Sequence, residues 1–366
     1  MSGKVQPEES PPSFKKPIKC KTDLTAWDAG YLKRKAEVGE KLFTCKSGRQ
    51  FCYFTDGAAD PSEEGVAVVL CLHGANQNKS AWLLPEPLAN ILLIVPDRFG
   101  SVGGSSSTPV EGYSYEDGCK EFLELVDGVY ADRSIPPQKK FFVAGHSMGG
   151  TWTIEMAACP EVCDKIEAIA PISSVCDVHH PKMTKQELKR FENFPGFMRG
   201  LKKKGCCGAF DRCIFSQLWA RVDGSHNKGR TGDYGMAGTY QMLKHNTGGD
   251  ARGRDAMDAD PFFVNASLDS YRGCPGWRDS FNEWSRLYGE EWSYDPADVK
   301  VPCFIYHGEA EVADLGMAEF NHKLIKGSEL TVWPGHGHLS ICMEFQRILE
   351  ALVRKQKVEG GPFFST

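Results

Sequence analysis

The sequence predicts an α/β protein: a mostly parallel eight-stranded sheet flanked by helices, with an inserted, mainly helical cap. Three observations carry that expectation. Short apolar runs alternate with stretches of helical periodicity, as the strands and covering helices of a parallel sheet do. One run ends in a Gly-x-Ser-x-Gly turn and feeds directly into a helical pattern, Phe141-Phe142-Val143-Ala144-Gly145-His146-Ser147-Met148-Gly149-Gly150. The alternation then lapses for about 120 residues, between Cys176 and Asp295, which is too long for a structureless loop in a compact domain and reads as an insertion.

The elements follow in order. Residues 43–55 hold two short strand-like runs around Ser47-Gly48, a starting hairpin. Residues 66–72, 91–95 and 141–144 are continuous apolar runs, as strands buried on both faces should be. Residues 166–172, 302–306 and 329–333 complete the set. Between them, residues 114–130 place Cys119, Phe122, Val126 and Val129 on one helical face, and a helix over 148–158 follows the serine turn. Ile341, Phe345, Ile348 and Leu352 repeat the helical spacing and read as core packed on the sheet. Inside the insertion, Thr184-Lys185-Gln186-Glu187 is a capping box opening a helix, Pro195 is a stop, and residues 212–221 and 235–243 also read as helical. The expected division is a disordered tail over 1–25, a first core segment over 26–175, the cap over 176–296, a second core segment over 297–358 and a tail over 359–366.

Composition removes several functional classes. A net charge of −5 without long runs of one sign gives no electrostatic footprint for nucleic acid or a membrane surface. Lys202-Lys203-Lys204 reads as a solvated face, with an anionic-substrate site as the sharper alternative. No apolar run approaches the length of a transmembrane helix. The N-terminal stretch lacks the apolar segment of a secretory signal, and Glu8 and Glu9, with no Arg before Arg34, argue against a transit peptide. The 14 cysteines are irregularly spaced, and Cys71, Cys303 and Cys342 fall within apolar patterns, as buried free thiols in a reducing, cytoplasmic location would. Cys206, Cys207 and Cys213 form the one cluster, without the paired spacing of a zinc site.

The chemistry centres on Ser147. A tight strand-to-helix turn with small residues on both sides pushes the serine oxygen toward a substrate. A serine hydroxyl is a poor nucleophile at neutral pH. It needs a base in hydrogen-bond reach, an acid to orient that base, and N–H donors for the developing oxyanion.

The chain resembles α/β-hydrolases with a cap. The resemblance rests on His73-Gly74 after a strand, Asp97-Arg98-Phe99-Gly100 after the next, Gly145–Gly150, His307-Gly308-Glu309-Ala310-Glu311 and Gly335-His336-Gly337-His338. It covers about residues 41–175 and 298–355 and leaves the insertion untouched. The elbow is similar to that of monoacylglycerol lipases and related serine esterases. The resemblance implies an α/β-hydrolase fold and a Ser-acid-His chain order. Its histidine position falls on His338, with His336 the rival two residues earlier. The family's acid position falls on Glu311, where an Asp is usual; Asp314 and Asp177 are the alternative acids, and Glu309 is expected to face solvent. The oxyanion hole would use the backbone N–H groups of Ala75 and Met148. His73 is expected to be structural, His146 to support the elbow, and Asp97-Arg98 to tie loops together. The usual Gly-x-Gly-x-Ser spacing is stretched here to Gly100-Ser101-Val102-Gly103-Gly104-Ser105.

These features imply a serine hydrolase acting on a small, apolar acyl substrate, with no metal or organic cofactor. Ser147 excludes the aspartate chemistry of relatives that open epoxides or displace halide. Peptidase, thioesterase and carbon–carbon bond hydrolase activities share the same machinery, and a ligand-binding protein with little turnover is the alternative from another class. In the insertion, Phe191, Phe194, Phe197, Phe210, Phe215 and Trp219 read as cap core, or in part as an apolar lining above Ser147.

Overall fold

The computed structural model describes residues 27–75, 77–98, 113–191, 260–272, 292–311 and 315–357. Eight strands form one sheet: β1 (Lys41–Thr44), β2 (Gln50–Gly57), β3 (Ala67–Leu72), β4 (Ile91–Pro96), β5 (Phe141–His146), β6 (Ile166–Ile172), β7 (Phe304–Gly308) and β8 (Glu329–Trp333). Their order is β1-β2-β4-β3-β5-β6-β7-β8. The β1–β2 hairpin and the β2–β4 pairing are antiparallel, and every later pairing is parallel. The expected mostly parallel eight-stranded sheet is therefore the observed one.

The continuous apolar runs are explained by burial on both faces. Val68, Leu70 and Leu72 of β3 join one hydrophobic core, while Val69 and Cys71 join the other. Alternate side chains of a strand point to opposite faces, so a strand covered on both sides has no polar positions to offer.

Helices cover each face. On one side lie α2 (Tyr115–Asp132), α3 (Met148–Ala158) and, further along the sheet, a helix over Leu315–Leu324. Cys119, Phe122, Val126 and Val129 of α2 are all buried there, and Ser114 opens α2 with a capping box to Asp117. On the other side lie α1 (Ala29–Val38) and the final helix, whose Phe345, Ile348, Leu349 and Leu352 fill the second core. The final apolar series is split between a 3-10 turn, Ser340–Glu344, and the helix Phe345–Val353.

Within the span assigned to the insertion, α4 (Lys185–Phe191) begins at the expected capping box. Thr184 N–H donates to Glu187, and Glu187 N–H donates back to Thr184 Oγ1. Helix α5 (Pro261–Arg272) docks against the core through Asp269, which accepts from Tyr31 Oη at 2.5 Å, Lys35 Nζ at 2.7 Å and Ser80 Oγ at 2.7 Å. The expected helices over 212–221 and 235–243, the lysine run, the Cys206, Cys207 and Cys213 cluster and the cap aromatics from Phe194 to Trp219 lie outside the described residues. The helices Leu315–Leu324 and Phe345–Val353 are α6 and α7 below.

Candidate active site

The site forms at the C-terminal edge of the parallel strands. Strand β5 ends at His146, and Ser147 takes φ 56° and ψ −121° before α3 begins at Met148. Positive φ in a residue with a Cβ is a strained conformation, found where structure around it over-determines the turn. Ser147 N–H donates to Ile172 O at 2.8 Å, and Gly150 N–H returns to Ser147 O at 2.9 Å. The turn also presses on its neighbour strand: a Cβ on Gly149 would stand 2.0 Å from Leu72 O. Met148 is the first residue of α3, so its N–H has no acceptor within the helix.

The turn after β3 lies against the elbow. A Cβ on Gly74 would stand 3.0 Å from Ser147 Cβ, which brings the backbone of 73–75 to the serine. Arg98 braces this turn: its N–H donates to His73 Nε2 at 2.9 Å, its Nε to His73 O at 3.0 Å and a terminal nitrogen to Gly74 O at 2.7 Å. Burial, with the nearby Arg98 charge, pushes the His73 imidazolium well below its ordinary range. His73 is thus a neutral scaffold residue. Asp97 in turn accepts from Lys79 N–H and Lys79 Nζ, both at 2.6 Å.

The loops after β7 and β8 bring together an acid and a histidine. Glu309 N–H donates to Trp333 O, and Ala310 N–H donates to His336 O at 2.8 Å, zipping the two loops. His338 Nδ1 then lies 2.8 Å from Glu311 Oε2, while Ser173 Oγ donates to Glu311 Oε1 at 2.6 Å. The Glu311 side chain is 1% exposed and that of His338 24%. Burial works to raise the Glu311 carboxyl, but His338 beside it, with His307 and the Ser173 hydroxyl, outweighs burial and holds it at about 2. With Nδ1–H committed to Glu311, His338 Nε2 is the ring nitrogen that can accept a proton. His338 also lies beside the elbow: its ring centroid is 4.6 Å from that of His146, the residue before Ser147.

The rivals go elsewhere. His336 is buried, with Nε2 3.5 Å from Glu344 Oε1. Asp177 accepts His179 N–H at 2.8 Å and sits near the buried Glu155; no described contact joins it to His338. Glu309 is exposed and accepts Gly335 N–H at 3.0 Å. Asp314 and the Gly100–Ser105 loop lie outside the described residues. Two participants escaped the sequence reading. Ser173 follows β6 at φ 47°, and its place after a strand next to β5 was the available signal. Gln77 accepts Gly74 N–H at 2.7 Å, a contact with no sequence signature.

Gln77, Leu339 and Cys342 also line a cavity of about 400 Å³ with Leu84, Phe262 and Ala266. Among the described residues, no group of three His, Cys, Asp or Glu side chains is placed to hold a metal ion, and no helix is long and apolar enough to cross a membrane. The nine described cysteines are free thiols.

Known proteins share this architecture. An enol-lactonase from Burkholderia xenovorans LB400 superposes with a TM-score of 0.54 at 15% identity, covering 86% of this chain and 99% of its own. A thermophilic esterase from Thermogutta terrifontis gives 0.52 at 14%, covering 86% and 97%. An epoxide hydrolase from Vigna radiata gives 0.57 at 14%, covering 88% and 100%. At these identities the likeness is one of fold. No curated protein matches the chain. The model of the alpha/beta hydrolase family matches residues 69–347, more than half of the sequence, and the chain belongs to that family.

Proposed function

We propose that the protein is a serine hydrolase that cleaves a carboxylic ester or related acyl compound. The observation that carries this reading is the 2.8 Å contact between His338 Nδ1 and the buried Glu311 carboxylate, beside a serine held at positive φ. In this reading His338 Nε2 takes the proton from Ser147 as Oγ attacks the substrate carbonyl. The oxyanion rests on the N–H groups of Ala75 and Met148, the second at the positive end of α3. Glu311 orients the imidazole and stabilises its charged form. His338 then gives the proton to the leaving group and next activates water, which releases the acid and regenerates Ser147.

The fold neighbours include an esterase, a lactonase and an epoxide hydrolase, so fold alone does not choose the reaction. The serine at the elbow supports acyl transfer over epoxide opening, which needs a carboxylate there. Free thiols support a reducing, cytoplasmic location.

Fluorophosphonate labelling tests the proposal, with wild type beside Ser147→Ala and His338→Ala. Wild type alone should label, and turnover of p-nitrophenyl esters should fall about 10⁶-fold in either variant. Folded wild type that neither labels nor turns over would overturn the reading in favour of a binding protein.

A further inference from the structure

Ser147 works only if two turns stay in register with it: the turn after β3, which offers Ala75 N–H, and the turn after β8, which carries His338. Both are far from β5 in sequence. The side chain of His146, the last residue of β5, reaches toward each. His146 is 1% exposed, and its Nε2 lies 3.0 Å from the backbone carbonyl of His338. A carbonyl oxygen only accepts, so Nε2 carries the proton and donates. Burial, reinforced by His338, pushes the His146 imidazolium down to about 3, which keeps the ring neutral with that proton committed. On its other edge, Nδ1, which carries no proton in that tautomer, faces Gln77 Oε1 at 3.4 Å without a hydrogen bond; that oxygen accepts Gly74 N–H at 2.7 Å. Cys342 Sγ lies 3.8 Å from the same Nε2.

We propose that His146 and Gln77 are positioning residues: His146 fixes the backbone of the general base, and Gln77 fixes the oxyanion turn. The two side chains lie side by side next to Ser147: His146 ties the loop of the base to the elbow, and Gln77 ties down the turn of the oxyanion donors. The inference rests on reading Ser147 and His338 as nucleophile and base.

His146→Gln and His146→Asn separate positioning from packing. The amide nitrogen of Gln reaches the place of Nε2 and keeps the donor; that of Asn stops near the place of Nδ1. His146→Asn should lower kcat for p-nitrophenyl butyrate by about tenfold to a hundredfold, as a small displacement of a catalytic group does. KM should stay within about twofold, because ground-state binding is untouched. His146→Gln should restore most of kcat, although both variants melt at similar temperatures. Wild-type kcat in His146→Asn, or equal kcat loss in the two variants, would overturn the inference while leaving the serine-hydrolase reading intact. An inactive, unlabelled wild type would overturn both. If His146→Asn does not fold, Gln77→Leu carries the test. It removes the Gly74 acceptor and should give the same loss in kcat at constant KM; unchanged kcat would overturn the proposal.

Discussion

The turn that carries Ser147 and the paired loops that carry Glu311 and His338 are held by different means. Around Ser147 the fit is made by backbone: Gly149 is pressed onto Leu72, Gly74 onto Ser147, and the serine itself is strained. Around His338, backbone bonds bring two loops together, but side chains decide which groups pair. Backbone contact at that range admits one arrangement, because nothing but glycine fits. Side-chain pairing among several acids and two histidines admits many, and only distance selects one. Local sequence motifs therefore describe the first region far better than the second.

With nucleophile and base left in place, the largest expected effect breaks the side-chain region alone. Glu311→Gln keeps the shape of the group but removes its charge and lets the amide donate toward His338 Nδ1, which favours the wrong tautomer. The expected loss is about 10⁴-fold in kcat/KM, or about 5 kcal/mol of transition-state stabilisation, with the fold retained. Steady-state ester hydrolysis and circular dichroism check it. A loss of less than about tenfold would move the acid to another residue, Asp314 first.

The next effect breaks the backbone region. Gly149→Ala adds a Cβ that would stand 2.0 Å from Leu72 O, and neither β3 nor α3 can move away without disturbing the sheet. The expected cost is about 3 kcal/mol or more of stability. Urea denaturation checks it, and a stable, active variant would show that the elbow relaxes by a route the contacts do not reveal. The two variants together sharpen the contrast. One should lose far more activity than its loss of stability explains; the other should lose activity only as far as its fold is lost.

The same contrast explains what the sequence reveals. The central strands were legible because burial on both faces leaves only apolar residues, and the elbow because its glycines are obligatory. The Thr184 capping box was legible because its partners are three residues apart. Helix α1 was not: only Tyr31 and Arg34 of its ten residues are buried, and Arg34 is buried by its 2.5 Å pairing with Asp56, not by apolar periodicity. The docking of helix α5 on the core was not legible either, because its hold runs through Asp269 to Tyr31, 238 residues away. The Glu311–Ser173 contact, 138 residues apart, belongs to the same class. Long-range polar pairing leaves no local period, so a motif can nominate Glu311 but cannot supply its partners.

The smallest effect uses pH to read the pairing directly. In the folded protein Glu311 is held at about 2, below its ordinary value of 4.5. A carboxyl depressed on folding contributes stability that is fully present above its unfolded value and is lost as pH falls through the folded one. The stability difference between wild type and Glu311→Gln should therefore shrink by on the order of 3 kcal/mol as pH falls from about 4.5 to about 2. His146, at about 3, titrates in that window too, and the Glu311 charge raises it, so Glu311→Gln shifts its titration as well; His146→Gln made in both backgrounds separates the two contributions. The backbone region supplies the control, since Gly149→Ala changes no titrating group and its difference from wild type should stay flat. Urea midpoints measured from pH 2 to pH 6 give both curves. A flat Glu311→Gln difference would mean that the carboxylate is not stabilised by His338 and its neighbours, and that the 2.8 Å contact does not carry the ion pair on which the proposed chemistry depends.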